Sequence, residues 1–303
     1  MRLLIKHSTT LLLVTLFILA SGSKAAEISA EFVSKRPHST VVWSIIPYAP
    51  IHILEGEFVG KGIADQYLQE AQAFLSQYHH INQIMTPARA WHQITKKEQL
   101  VCHPSALKTA ERATYAYFTK AAMITPVLRV LMRKSVWEKQ YQKRESINIS
   151  DYLAQNKGSM GVVSHRSYGE QIDQVIAQGI REERKIIQAS GRYGSRQLYE
   201  MLINGRIDIM LEYPWVSAYF KRIVNKTDVV VVNINISDFP RYSPAYVACS
   251  YSAEGKKIIE ALNAFIDLSI PLEKNRQRMM NWLDDKEAKK FEQDYFDFFK
   301  IAH

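Results

Sequence analysis

The sequence lacks the short motifs that mark common enzyme sites. It contains no Gly-x-Ser-x-Gly elbow, no His-Glu-x-x-His pair and no Gly-Lys-Ser/Thr phosphate loop. His79 and His80 are adjacent, but neighbouring residues at a helix end do not face one another, so they do not predict a metal site. Carboxylates such as Asp65, Glu111 and Asp208 are more often helix caps or ion-pair partners than acid–base pairs. We therefore predict a protein without catalytic activity, cofactor or metal.

Long hydrophobic runs are also scarce. The apolar run Leu11–Ala20 follows Arg2 and Lys6 and precedes small residues, which is typical of a secretory signal peptide. This run is shorter than the ~20 apolar residues of a transmembrane helix, and no later stretch reaches that length. We predict a signal peptide over residues 1–25, cleaved after Ala25, and a soluble exported protein. Because no cysteine follows the run, we do not expect a lipid anchor.

The charge balance is only mildly positive. The chain has 39 basic and 30 acidic residues, and cleavage of residues 1–25 removes three basic residues and no acid, leaving 36 against 30. Basic and acidic residues are interspersed rather than grouped in tracts. This distribution does not favour nucleic-acid binding. It fits a modest preference for anionic ligands, although an ordinary solvated basic surface is the simpler explanation.

Cysteine is nearly absent, and its two occurrences are far apart. Cys102 and Cys249 each lie in a strand-like run, and an exported protein folds in an oxidising compartment. One long-range disulfide is the favoured interpretation. The alternative is two buried free thiols that pack as small apolar residues.

Strand-like runs alternate with amphipathic helical stretches over the mature chain. Its roughly 278 residues exceed what one hydrophobic core usually serves, so two lobes are expected. Two extended crossings, 118–132 and 237–244, separate the strand–helix sets, and the second crossing returns the chain to the first set. We predict an α/β fold with a discontinuous first lobe, residues 26–125 and 243–303, and a second lobe, residues 126–242. We expect the two lobes to close on each other by hinge motion near Thr125 and Ser243.

A polar turn after the strand at Cys102 carries the strongest functional signal. Ser105, Thr109 and Arg112 follow this strand, and an aromatic stretch at 115–119 follows them. Hydroxyls and free backbone N–H groups suit an anion, and a guanidinium can fork onto a carboxylate. The alternative is a helix cap at Thr109 next to a surface arginine.

These motifs resemble those of the periplasmic solute-binding proteins of family 3, the amino-acid type. Three features carry the resemblance. They are Thr109-x-x-Arg112 followed by the aromatic stretch at 115–119, the Tyr48-Ala49-Pro50 turn, and the glycines that precede Asp65. It implies a type II periplasmic-binding-protein fold over about 250 residues. It also implies that Tyr48 stacks on the ligand, that Arg112 binds an anionic group and that Ser105 and Thr109 donate hydrogen bonds.

The second predicted lobe matches the family less well. Ser167, in the turn after a strand, resembles the family's Thr-rich turn, although a simple helix cap explains it equally well. Tyr213 stands where the family places an acid for the ligand's amino group, and Glu212 precedes it. On a regular strand Glu212 should point to the opposite face from Tyr213. Leu107 also replaces a hydroxyl residue. We predict that Ser167, with Tyr213 or Glu212, contacts the ligand from this lobe, and we expect weak or no binding of ordinary α-amino acids. If Pro214 instead distorts the strand end and turns Glu212 into the cleft, cationic groups become acceptable.

The resemblance implies a periplasmic protein that binds a small solute, with an anionic group, in the cleft between two lobes. An ABC-type permease or a sensor is the expected partner, nucleic acid is not, and a monomer is expected. Two alternatives remain. One is a dehydratase-like periplasmic enzyme on the same scaffold, which needs a raised pKa at a cleft carboxylate such as Glu212. The other is an exported signalling module that binds a partner protein.

Overall fold

The structure, a computed structural model, describes residues 39–302 except 97, 157, 165, 192 and 225–227. The predicted signal peptide, residues 1–25, lies outside the described residues. Within the described part of the chain, no helix is both long and apolar enough to span a membrane.

The first part of the chain alternates strands and helices as the sequence pattern predicts. Helix α1 buries Tyr67, Leu68 and Ala71 on one face, the spacing of an amphipathic helix. His79 and His80 lie in a strand rather than at a helix end. The elements are β1 (Thr40–Ile45), α1 (Ile63–Phe74), β2 (His79–Ile84), α2 (Pro87–Lys96), β3 (Val101–Ala106), a 3₁₀ turn (Arg112–Thr114), β4 (Ala116–Phe118) and β5 (Met123–Pro126).

The remaining elements begin with a strand, Arg129–Arg133, that covers the end of the extended crossing predicted over 118–132. They are β6 (Arg129–Arg133), α3 (Lys134–Gln140), β7 (Ser146–Ile147), α4 (Ile149–Gln155), β8 (Met160–Val163), α5 (Glu170–Arg181), β9 (Ile186–Ala189), α6 (Gly194–Ile203), β10 (Ile209–Glu212), α7 (Pro214–Ile223), β11 (Val231–Ile236), β12 (Tyr242–Ser250), α8 (Ala253–Ser269), α9 (Glu273–Met280) and α10 (Asp285–Phe299).

The strands form two sheets, and each sheet is the centre of one lobe. The first has the order β2-β1-β3-β12-β4, and the second has the order β7-β11-β6-β10-β8-β9. In the first sheet β1 pairs in parallel with β2 and β3, whereas β12 runs antiparallel to β3 and β4. The late strand β12 therefore completes a sheet begun early in the chain. This confirms the predicted α/β class with a discontinuous first lobe.

Cys102 and Cys249 are joined by a disulfide in the first sheet. They face each other in the antiparallel register of β3 and β12, with a Cα–Cα distance of 4.1 Å. The bridge closes a separation of 147 residues. The structure therefore contains the long-range disulfide favoured from the sequence rather than two free thiols.

Two extended segments connect the lobes side by side. Strand β5 pairs antiparallel with the first half of β12, and Thr125 lies opposite Ser243 in this ladder. The Thr125 hydroxyl donates to the Ser243 carbonyl at 3.3 Å. The two positions predicted to act as hinges thus lie on adjacent connecting strands. Hinge motion at these positions and the lobe boundaries remain predictions.

The C-terminal helix contributes to the hydrophobic core. Phe291 and Tyr295 of α10 are buried in a cluster that also contains Leu198 and Trp215 of the second lobe. Their helical spacing reflects core packing.

Candidate functional site

The loop after β1 holds Tyr48 at the carboxyl end of that strand. The Tyr48 carbonyl accepts hydrogen bonds from the backbone N–H groups of Ile51 and His52, at 2.8 and 3.1 Å. Asp65, in the first turn of α1, accepts from the N–H groups of Ile53 and Gly62, at 3.0 and 3.1 Å. A β-carbon on Gly62 would lie 2.5 Å from the Ile51 carbonyl oxygen, so glycine permits this close approach. The loop is therefore fixed against α1, and the Tyr48 side chain projects towards the second lobe.

Arg166 and Glu212 meet at the ends of two adjacent strands of the second sheet. Arg166 follows β8, Glu212 ends β10, and these strands pair in parallel, so their carboxyl ends lie together. Arg166 Nη1 lies 2.7 Å from Glu212 Oε2, and Arg166 Nη2 lies 2.8 Å from Oε1. The Glu212 side chain is fully buried, and 18% of the Arg166 side chain is exposed. This forked geometry is the strongest that an arginine and a carboxylate can form.

Tyr48 joins this pair from the first lobe. Its hydroxyl donates to Glu212 Oε1 at 3.0 Å and accepts from Arg166 Nη2 at 2.9 Å. Ser195, near the start of α6, donates to Glu212 Oε2 at 2.7 Å and accepts from Arg166 Nη1 at 3.2 Å. The Tyr213 backbone N–H donates to Glu212 Oε1 at 3.0 Å. Both oxygens of Glu212 are thus engaged, and the contact links the two lobes.

Aromatic rings surround the guanidinium. Its Cζ lies 5.0 Å from the ring centre of Tyr168, 5.4 Å from that of Tyr213 and 5.5 Å from that of Tyr48. These distances allow cation–π attraction. Tyr213 in turn stacks on Trp215 with ring centres 4.7 Å apart. We call this group the arginine cluster, and it consists of Tyr48, Arg166, Tyr168, Ser195, Glu212 and Tyr213.

The electrostatics of the arginine cluster keep both members of the ion pair charged. Burial alone would raise the pKa of Glu212, but the charge of Arg166 and hydrogen bonds from Arg166, Ser195 and Tyr213 outweigh burial and place this pKa below its ordinary value. Burial lowers the pKa of Arg166, and the Glu212 charge reverses this effect and raises it. Burial, followed by the Glu212 charge, raises the pKa of Tyr48, whose hydroxyl therefore remains a donor.

A cavity of about 350 Å³ adjoins the arginine cluster, and Tyr48 and Ser195 belong to both. Its walls come from the loop after β1 in the first lobe and from α6, α7 and the residues before α6 in the second. Most of the lining side chains are aromatic or aliphatic. They are Pro47, Tyr48, Ala49, His52, Ile53, Leu54, Glu55, Gly56, Tyr193, Ser195, Arg196, Val216, Tyr219, Phe220 and Ile223.

His52 is the most buried polar residue of the cavity wall. Its Nδ1 lies 2.6 Å from Asp65 Oδ1, and its Nε2 has no hydrogen-bond partner among the residues that the structure describes. Because an ionised carboxylate can only accept, Nδ1 of His52 is the donor in this contact. His52 lies close enough to His103 to affect the pKa of His103. Burial, with contributions from His52 and Arg112, lowers the pKa of His103 to about 3.

Arg112 lies apart from the arginine cluster in the described structure. Its guanidinium is 4.3 Å from the ring centre of Trp91, and Nη1 donates to the Leu107 carbonyl at 2.9 Å. The Thr109 hydroxyl accepts from the Arg112 backbone N–H at 3.1 Å, so it caps the 3₁₀ turn. The Ser105 N–H points to His103 Nδ1 at 3.4 Å. Ser105 lies in β3, whereas Thr109 and Arg112 lie at the 3₁₀ turn that follows, and the cavity lining comes from other segments.

Of the three site residues predicted in the second lobe, two lie in the arginine cluster and one does not. Ser167 is exposed, and its hydroxyl donates to Asp173 in the first turn of α5. Glu212 and Tyr213 both lie in the arginine cluster. A regular strand would point Glu212 away from the cleft, but the structure turns it into the cleft. The strand β10 ends at Glu212, and Pro214 begins α7 directly afterwards. The acid therefore reaches Tyr48 across the cleft.

Sequence reasoning missed several residues of the site. Arg166, Ser195, Tyr168 and His52 are not among the site residues predicted from the sequence. Arg166 and Ser195 follow β8 and β9, so the general tendency of sites to form beyond the carboxyl ends of strands was the available signal. In the described residues, no group of three or more histidine, cysteine or acidic side chains is arranged to hold a metal ion.

The chain resembles solved periplasmic and extracellular binding proteins in structure. No protein-family model matches it, and no curated protein does. A probable amino-acid ABC transporter extracellular-binding protein of Bacillus subtilis aligns with a TM-score of 0.55 and 16% identity, covering 82% of this chain and 100% of that one.

Two further structures align over similar lengths. The substrate-binding protein AbpA of Streptococcus pneumoniae, bound to L-arginine, gives a TM-score of 0.56 and 14% identity, covering 87% of this chain and 98% of that one. The BvgS periplasmic VFT2 domain of Bordetella pertussis gives 0.53 and 13%, covering 84% and 97%. At these identities the likeness establishes the fold. The chain has the two-lobed, type II periplasmic-binding-protein fold that its motifs predict.

Proposed function

We propose that this protein binds a small solute in the cleft between its lobes. The observation that carries the proposal is the cavity of about 350 Å³, whose walls come from the Tyr48 loop of one lobe and from α6 and α7 of the other. A solute in this cavity touches both lobes at once. Such a ligand stabilises the closed arrangement, because only that arrangement provides all of its contacts.

The cavity wall indicates the chemistry of the solute. Tyr219, Phe220 and Val216 suit an apolar or aromatic body, and Tyr48 offers a ring at the border with the arginine cluster. His52, whose buried Nε2 has no hydrogen-bond partner among the described residues, adds a polar group to this largely apolar wall. The solute therefore combines an apolar body with a few polar groups.

An anionic group on the solute is a further part of the proposal. Arg112 lies over the ring of Trp91 and donates from Nη1 to the Leu107 carbonyl, and the Nε–Nη2 edge of its guanidinium has the geometry to fork onto a carboxylate. Its charge acts on His103, on which His52 of the cavity wall also acts. Ser105, in β3, and Thr109, which caps the 3₁₀ turn, are the polar residues that precede Arg112.

The wider role follows from the fold and the structural neighbours. The B. subtilis and S. pneumoniae proteins are described as parts of amino-acid ABC transporters, and the BvgS domain as periplasmic. We propose a periplasmic, monomeric protein that delivers its solute to an ABC-type permease or reports it to a sensor. Nucleic acid has no part in this role.

A thermal-shift screen of the mature protein against amino acids, organic acids and polyamines tests the proposal. A solute present at 100 times its Kd stabilises the folded state by about 2.7 kcal/mol, which is a rise of several degrees in Tm for a chain of this size. Ile223→Trp places a large ring in the cavity wall and should abolish the shift. Leu268→Trp, on the exposed surface of α8, is the matched control and should retain it.

The alternatives make different predictions. The enzyme alternative needs a raised pKa at Glu212, whereas the ion pair with Arg166 lowers that pKa, so no observation favours catalysis there. If no solute in the screen shifts the Tm of the folded protein, the partner-protein alternative gains instead. Equal shifts in wild type and Ile223→Trp would place the solute outside the cavity and contradict the proposed site.

A further inference from the structure

The arginine cluster has the composition of a binding site for a cation. A buried carboxylate, Glu212, forms its floor, and the hydroxyls of Ser195 and Tyr48 lie beside that carboxylate. The ring centres of Tyr48, Tyr168 and Tyr213 lie 5.0 to 5.5 Å from the bound group. The group that occupies this site is the guanidinium of Arg166, which belongs to the chain itself.

We propose that Arg166 is a tethered cation. Its guanidinium occupies the subsite that Glu212 forms in the cleft, and it thereby determines which ligands the cleft accepts. Five hydrogen bonds converge on the two oxygens of Glu212, from Arg166 twice and from Tyr48, Ser195 and Tyr213. A carboxylate offers about four lone-pair positions. A ligand ammonium or guanidinium therefore reaches Glu212 only by displacing Arg166.

The position of Arg166 distinguishes this role from that of an ordinary internal ion pair. Arg166 lies in the turn between β8 and α5 rather than inside a helix or strand, so its side chain can leave without breaking an element. It also bonds to Tyr48, 118 residues away in the other lobe. An ion pair that served only to stabilise the second lobe would not need Tyr48 as a partner. Arg166 thus makes the interlobe contacts that a cationic ligand would otherwise make.

Removal of the side chain should convert the subsite into one for a free ligand. In Arg166→Ala, Glu212 and Ser195 retain their positions while the space of the propylguanidinium group opens. We expect calorimetry to detect binding of agmatine and methylguanidine to this variant with an affinity at least about tenfold higher than to wild type, a difference of about 1.4 kcal/mol. The second change Glu212→Gln, made in Arg166→Ala, should abolish that binding.

Arg276→Ala is the matched control. Arg276 also pairs with a glutamate, Glu292 at 3.0 Å, and lies 5.1 Å from the ring centre of Phe296, but it is outside the cleft. This variant should gain no affinity for either probe. If Arg166→Ala does not fold by itself, agmatine should restore its far-UV circular dichroism and cooperative unfolding. A folded Arg166→Ala that binds neither probe, or an unfolded one that agmatine does not restore, overturns the proposal.

This inference rests on the proposed function only in placing ligand binding in the interlobe cleft, and the two fail separately. If a solute stabilises wild type but agmatine does not bind to Arg166→Ala, the tethered-cation proposal alone is wrong. If agmatine binds to Arg166→Ala while no solute stabilises wild type, the proposal of solute binding is wrong and the tethered cation stands.

Discussion

Arg166 and Glu212 form a forked ion pair, with N–O distances of 2.7 and 2.8 Å, at the adjoining ends of β8 and β10. The glutamate is fully buried, and the hydroxyl of Tyr48 from the opposite lobe bonds to both partners. A charge pair of this kind contributes less to stability than its contacts suggest, because both ions lose their hydration. Removal of one partner alone has a far larger effect.

Glu212→Gln should destabilise the protein by about 3 kcal/mol, since it leaves the Arg166 charge buried without its counter-ion. Urea denaturation measures this difference. Arg166→Met combined with Glu212→Gln removes both charges and should cost less than the sum of the single changes.

The control for this prediction is Glu292→Gln, which breaks the more exposed pair with Arg276 and should change stability by at most about 1 kcal/mol. Equal effects of Glu212→Gln and Glu292→Gln would contradict the importance of burial at the arginine cluster.

Stability should fall on mild acidification because of His103. Its pKa is about 3 in the folded protein, lowered mainly by burial, and about 6.5 when unfolded. Between these values the unfolded chain binds the proton and the folded chain does not, so His103 favours unfolding progressively as the pH falls through this window. The loss attributable to His103 is about 2 kcal/mol between pH 6.5 and pH 5.

Urea denaturation of His103→Gln at both pH values checks this assignment. The variant should lose less stability on acidification than wild type does, whereas His92→Gln, at an exposed position on α2, should behave as wild type. An unchanged pH dependence in His103→Gln would show that His103 is not the group responsible.

The disulfide should be present in exported protein and important for stability. Non-reducing peptide mapping should recover Cys102 and Cys249 as one cross-linked pair. Loss of a bridge that closes 147 residues costs about 3 to 5 kcal/mol, so Cys102→Ala with Cys249→Ala should lower the urea midpoint. Reductant should lower the midpoint of wild type and leave the double variant unchanged. Recovery of both cysteines as free thiols would contradict the assignment.

Arg112 should act on affinity rather than on stability if it binds the solute's anionic group. Arg112→Ala should weaken binding of the solute found by screening by about 2 kcal/mol, and Arg112→Lys should not restore it because an ammonium group cannot fork. The change in unfolding free energy should stay below about 1 kcal/mol for this half-buried side chain. Wild-type affinity in Arg112→Ala, measured by calorimetry, would assign Arg112 to the stack on Trp91 alone.

Much of the fold could be predicted from sequence because periodic apolar patterns decide it. The run at β8, Met160–Val163, and the apolar face of α1 identify their elements without tertiary information. Cys102 can pair with Cys249 only if the chain returns to the first sheet. The second extended crossing and the strand-like run around Cys249 predict that return. Strand β6 was less visible because its position is set by antiparallel pairing with β10 and β11 rather than by its own pattern.

The candidate site was less predictable because side-chain direction decides it. Glu212 and Tyr213 were identified by position, but strand alternation predicts that Glu212 points away, and the change to a helix at Pro214 reverses that expectation. Arg166 and Tyr48 are 118 residues apart, and their contact depends on how the two lobes meet. No local pattern encodes that arrangement.

A crystal structure of the protein with the best solute from the screen would show directly where that solute binds. We expect electron density for the solute in the cavity, in contact with Tyr48 of the first lobe and with Tyr219 of α7 in the second. Density for the solute elsewhere on the protein, with these two residues untouched, would contradict binding in the interlobe cleft.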